Sequence, residues 1–174
     1  MHGVIICALK EVLDKNFGDG FWYRCLEKSG LPQNVEVSAT GSMTDVNFLK
    51  MAGAVCEISK LSLEEVADVF GDYWVNVYAP RLFATFYKGK NSAKEFLLSM
   101  NYVHDDVVRR MEHTEPPVFE FKWIDDKTLE MKYISKRGLI VLLQGLVKGV
   151  GKYYKEDLQI TKISEEKLQI VFPK

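Results

Sequence analysis

The chain has 174 residues, 47% hydrophobic and 27% charged, with a formal net charge of −1. That length and composition suit one globular domain, 1–174, able to bury roughly 70% of its unfolded surface. The near-neutral charge argues against a general nucleic-acid binder, which needs a basic excess or stripe. The longest apolar runs, such as 4–9 and 139–143, fall far short of the roughly 20 residues that cross a bilayer. No basic region precedes the first run, so neither membrane span nor signal peptide is expected. Cys7, Cys25 and Cys56 are odd in number and form no CxxC pair. Free thiols in a reducing, cytoplasmic compartment follow.

Residues 4–17 place Ile5, Leu9, Val12 and Leu13 on one helical face and stop near Gly18-Asp19-Gly20. A short helix over 20–29 ends at Gly30, with Pro32 just beyond. A third, 44–60, opens with Thr44 as its cap. Ser62 and Glu65 form a capping box for a helix that runs through Val66, Val69 and Phe70 towards Gly71. Large aromatics fill 73–78 before Pro80. Residues 91–111 read as one helix with Leu97, Met100, His104, Val107 and Met111 on a single face.

After Pro116-Pro117 the period changes from helical to alternating. Strands 118–123 and 128–135 flank a connection of hairpin length, 124–127. Helix 138–154 turns Leu139, Leu142, Leu143, Leu146 and Val150 inward, and 157–163 with 167–172 form a second strand pair. The expected fold is α+β. A helical N-terminal part, 1–112, packs on a C-terminal part, 113–174, made of a four-stranded antiparallel sheet with one inserted helix.

His104 stands in an otherwise apolar stripe. It reads either as a satisfied core histidine or as a metal ligand. His113 is nine residues on and faces nearly the opposite side, and the Cys/His clustering of structural zinc is missing. A single axial ligand therefore fits haem better than zinc. In an extended strand Tyr133, Ser135 and Arg137 point the same way, offering two hydroxyls and a guanidinium to one place. That set matches a carboxylate; a solvated polar strand face is the alternative. The residues from Asn101 to Asp106, Arg109-Arg110 and Lys148, Lys152 and Lys155 read as solvated surface. No Ser/His/Asp or Cys/His arrangement, phosphate-binding glycine loop or spaced carboxylate pair supports nucleophilic or hydrolytic catalysis.

With these residues in view the sequence resembles a bacterial H-NOX protein, the haem domain family shared with soluble guanylate cyclase. The likeness rests on Met1-His2-Gly3-Val4-Ile5, Phe70-Gly71-Asp72-Tyr73-Trp74-Val75, the helix around His104, Pro116-Pro117 and Tyr133-x-Ser135-x-Arg137. It implies haem b held between the two parts, with His104 as iron ligand and Tyr133, Ser135 and Arg137 on the propionates. Ile5 and Pro117 match positions that press on the porphyrin. Trp74, Tyr78, Leu142 and Leu146 match positions bordering the distal pocket.

Oxygen-binding members carry a tyrosine where this chain has Leu142. The resemblance thus implies a sensor of NO and CO that excludes O2, unless the Tyr78 hydroxyl reaches the bound gas. Signalling would run through a weakened iron–His104 bond that releases the His104 helix. Because the chain ends at Lys174, the signal is expected to pass to a separate protein, a histidine kinase or a cyclic-di-GMP enzyme. A haem peroxidase and a non-haem binding module are the competing classes; the apolar Leu142 and Leu146 disfavour the first.

Overall fold

In the computed structural model, which describes residues 1–35, 37–111 and 114–173, the chain opens with α1 (Gly3–Phe17), α2 (Phe21–Lys28), α3 (Asp45–Ser59) and α4 (Leu63–Tyr73). Three of these helices begin where a side chain accepts an otherwise orphaned amide. His2 takes the Val4 N–H, Thr44 the Asn47 N–H, and Ser62 with Glu65 completes the capping box.

Helix α4 does not end at Gly71. It continues as a π-helical turn, Trp74–Tyr78, in which Ala79 N–H bonds the carbonyl of Trp74. Pro80 follows, with no N–H to give and a ring that crowds the carbonyl four residues back. Widening the helix by one residue before it relieves both problems. Two short helices, α5 (Ala79–Leu82) and α6 (Ala84–Tyr87), complete this region.

The single helix expected over 91–111 is two, α7 (Ala93–Leu98) and α8 (Met100–Arg110). At Ser99 both the amide (3.1 Å) and the hydroxyl (2.7 Å) donate to the carbonyl of Phe96. The turn closes three residues back instead of four, and the helix changes course. The expected boundary at 112/113, and His113 with it, lies outside the described residues.

Beyond it come β1 (Val118–Trp123), β2 (Thr128–Ile134), α9 (Ile140–Tyr154), β3 (Gln159–Ser164) and β4 (Lys167–Val171). The strands form one antiparallel sheet in the order β1-β2-β4-β3. Phe119 pairs with Tyr133, and Met131 with both Phe121 and Leu168, so one face is continuously apolar.

Two apolar clusters result. One joins α1 to α4 around Trp22, Leu26, Met51 and Val55. The other joins the sheet to α7 and α9 around Leu129, Met131, Val147 and Ile170. Between them α4 meets α9 backbone to backbone. A Cβ on Gly71 would lie 2.2 Å from the carbonyl of Gly145, and one on Gly145 would lie 2.1 Å from the Ala67 oxygen. Lys148–Asp68 (2.6 Å) and Lys152–Asp72 (2.9 Å) fasten the same crossing, so two of the lysines read as ordinary surface are interhelical ties.

Candidate cofactor site

Members of both clusters border a cavity of about 540 Å³, within the range of about 300–1,000 Å³ usual for small-molecule and cofactor sites. Its walls are mainly apolar. Ile5 comes from α1, Trp74 and Val75 from the π-helical turn, and Leu142 and Leu146 from α9. Met100, Val103, His104 and Val107 come from α8, and Pro117, Phe119 and Tyr133 from the sheet and its approach. Arg137 stands at the same cavity.

His104 is oriented from behind. Its Nδ1 lies 2.8 Å from the carbonyl oxygen of Pro117. A carbonyl can only accept, so Nδ1 carries the proton and Nε2 keeps its lone pair. Burial pushes the imidazole below its ordinary pKa, against the opposing pull of the Pro117 bond and Asp105, and keeps the ring neutral. A neutral imidazole on a helix, its second nitrogen bonded to a backbone carbonyl, is the arrangement of a metal-ligating histidine.

Asn101, one turn earlier, fixes the same stretch. Its amide donates to the Phe119 carbonyl at 2.7 Å and accepts from the Phe119 N–H at 2.9 Å. This clamp is invisible in the sequence, because Asn101 reads as one of several polar residues on a solvated face. The partner is a backbone, which carries no sequence signature.

Tyr133 is buried in the wall. Arg137 lies beyond the end of β2, in a turn instead of on the expected strand, because the strand stops at Ile134. Ser135 is not part of the wall; its hydroxyl accepts the Arg137 N–H at 3.3 Å and so shapes the turn that carries the guanidinium. Arg137 Nε lies 2.9 and 3.0 Å from the two oxygens of Asp45, and another guanidinium nitrogen donates to the Glu115 carbonyl. The amino group of Met1 reaches Asp45 as well, at 3.0 Å. Burial works to raise the Asp45 pKa, but these two cations hold it below the usual carboxylate value.

Trp74 is in the wall, stacked between Phe70 (6.0 Å between centroids) and Tyr78 (5.7 Å). Tyr78 is behind it and does not line the cavity. Burial, then the neighbouring Cys7, raises the pKa of the Tyr78 hydroxyl.

An apolar cavity with the neutral imidazole of His104 and a tyrosine–arginine pair has the donor set of a haem pocket. The sequence profile of the family described as Haem-NO-binding matches residues 2–162. The chain belongs to that family. H-NOX domains are haem-binding gas sensors, and the residues found here fit that cofactor.

Soluble guanylate cyclase gcy-32 of Caenorhabditis elegans is 25% identical over 97% of this chain, and gcy-34 of the same organism 23% identical over 87%. The chain spans about a quarter of the length of these relatives (25% and 23%). An H-NOX protein from S. oneidensis in its Fe(II)NO ligation state superposes with a TM-score of 0.88 at 17% identity, over all of both chains. An oxygen-binding H-NOX domain related to soluble guanylate cyclases, in its oxygen complex, gives 0.82 at 20% identity, over all of this chain and 96% of that one. At such identities the likeness establishes the α+β fold.

Proposed function

We propose that this H-NOX domain is a sensor of NO and CO that holds haem b through His104 and discriminates against O2. The observation that carries the reading is the His104–Pro117 bond, which leaves a neutral Nε2 as electron-pair donor in the cavity wall. Bound haem supplies a ferrous iron that takes diatomic gases. Tyr133 and Arg137 hold its carboxylates, Ser135 shapes the Arg137 turn, and Ile5 and Pro117 bear on the ring from the walls.

Leu142 and Leu146 offer no hydrogen to a bound gas. Bound dioxygen, which carries partial negative charge, gains most from such a donor; NO and CO gain less. Tyr78, stacked behind Trp74, supports Trp74 rather than the gas. His104 Nε2 would tie α8 to the cofactor, while Asn101 and His104 tie it to Phe119 and Pro117, so a change at that nitrogen would be passed on as a displacement of α8. The recipient proposed from the family resemblance is a histidine kinase or a cyclic-di-GMP enzyme.

The test is the optical spectrum of the reduced protein without oxygen, then in air, then with NO. A haem spectrum unchanged by brief exposure to air and shifted by NO supports the reading. A reversible change in air overturns the selectivity, and Trp74, which lines that wall and carries an indole N–H, is then the residue to replace. Protein that takes up no haem overturns the whole assignment, as does His104→Ala with an unaltered spectrum.

A further inference from the structure

We infer that Tyr87 is a positioning residue of the gas site. By binding the Val75 carbonyl, its hydroxyl holds the turn Trp74–Tyr78 in π-helical form and so sets where Trp74 and Val75 stand in the cavity wall. The inference extends the haem reading above and rests on it.

Each carbonyl of a helix is served by an amide four residues on, or five in a π-helical turn. The Ala79 N–H has gone to Trp74, five residues back. Val75 is next in line, and the residue five on from it is Pro80, which has no N–H. Val75 is buried, where a carbonyl without a donor is costly. The Tyr87 hydroxyl fills the gap, donating to the Val75 oxygen at 3.0 Å. A phenol thus supplies from outside the helix the hydrogen that proline withholds from within.

That bond decides between two forms of the turn. Without it, the nearest donor to the Val75 carbonyl is the Ala79 N–H, four residues on. Taking it would convert the turn to an α-helical one and leave Trp74 without its partner. One residue of helix is about 100° of rotation, so the change re-aims the side chains on one side of the turn relative to those on the other. Trp74 and Val75, which both line the cavity, lie within that turn.

Tyr87 is well placed for the task. It lines the cavity itself, and its ring packs on Phe96 of α7 (4.8 Å between centroids) and on Tyr153 of α9 (4.9 Å). Burial raises the pKa of the phenol, so it keeps its hydrogen at ordinary pH. That single hydrogen is committed to Val75, so Tyr87 acts on a gas through the wall and offers it no bond of its own.

Tyr87→Phe keeps the ring and removes the hydroxyl. Wild-type and variant holoproteins are compared as ferrous CO complexes, which are diamagnetic, by NMR couplings across hydrogen bonds, by the C–O stretch and by CO affinity. In Tyr87→Phe the coupling from the Ala79 nitrogen is expected to pass from the Trp74 carbonyl to that of Val75. The C–O stretch should shift and CO should bind about fivefold more weakly, the weight of one net hydrogen bond. Pro80→Ala restores an amide to the helix, so the Val75 carbonyl no longer depends on the phenol. In that background, adding Tyr87→Phe is expected to change neither the stretch nor the affinity.

Either an Ala79 coupling that stays with Trp74 or an unmoved stretch in Tyr87→Phe overturns the assignment and leaves the haem reading intact. An effect of Tyr87→Phe undiminished beside Pro80→Ala overturns it too, because the hydroxyl then acts on the gas directly. Wild-type protein that takes up no haem overturns the haem reading and any role at a gas site, while the Ala79 coupling in the haem-free chain still decides whether Tyr87 holds the turn.

Discussion

Helix α9 buries seven of its fifteen residues, from Ile140 to Gly151, whereas α8 buries none of its eleven. Both line the cavity, but they are attached in opposite ways. The α9 helix lies against α4 at glycine contacts too close for any Cβ, and two lysine–aspartate pairs fasten the crossing. The α8 helix turns Met100, Val103, His104 and Val107 to the cavity and is pinned to the approach of β1 by bonds from Asn101 and His104. Packing sets the position of α9, and a few polar bonds set that of α8. The helix that carries His104, the proposed iron ligand, is thus joined to the sheet mainly by polar bonds, which suits the signalling role proposed for it.

The largest effect is expected where packing rules. Gly145→Ala drives a Cβ into the Ala67 carbonyl of the facing helix, and separating the two backbones costs about 3 kcal/mol. A urea-denaturation midpoint measures it, and an unchanged midpoint would show that the crossing is looser than it looks.

On the other side, Asn101→Ala strips partners from both backbone groups of Phe119, at about 1–2 kcal/mol. Its effect should be local. Hydrogen exchange is expected to speed up along α8 and the start of β1 and to stay slow in α9. Equal acceleration in both would remove the distinction between the two helices.

These two sites differ in how far the sequence announces them. The apolar stripe of α9 and the alternation of β1, β2 and β4 are periodic, and a period survives in one dimension. His104 and Tyr133 were legible because a polar group in an apolar stripe contradicts its surroundings. Gly145 and Gly71 were not, since a backbone contact between helices is a property of the pair and neither partner records it. The same holds for the Asp45–Arg137 ion pair, whose members are 92 residues apart. The break at Ser99 and the π-helical turn lay hidden because periodicity over 91–111 and 73–78 is blind to a one-residue change of hydrogen-bond partner. Arg137 left the strand for a turn, yet it still lines the cavity with Tyr133, whereas Ser135 does not; a side chain as long as arginine can reach a place that its backbone has left.

Acid supplies a smaller and graded perturbation of the α8 side. The folded-state pKa of His104 is depressed below 6.5 by burial. Above that value the imidazole is neutral in both folded and unfolded chains. As the pH falls through 6.5 the unfolded chain takes up the proton first, and stability declines until the folded-state pKa is passed. Haem-free His104→Gln should lack this part of the pH profile; identical profiles would mean that another group carries it.

The smallest effect is expected at Tyr78, where the distal side can be tested without touching packing. Its ring is stacked on Trp74, its hydroxyl neighbours Cys7, and Arg81 lies 5.8 Å over its ring while bonded to Glu11 on α1. Tyr78→Phe therefore removes a hydrogen bond worth about 1 kcal/mol or less and should leave the responses to air and NO unchanged. Leu142→Tyr adds a phenol of the same kind, but on a residue that lines the cavity, and should create a response to air. If Tyr78→Phe alters the gas response and Leu142→Tyr does not, the donor reaches the bound gas from behind Trp74. Selectivity would then belong to the π-helical turn and not to α9.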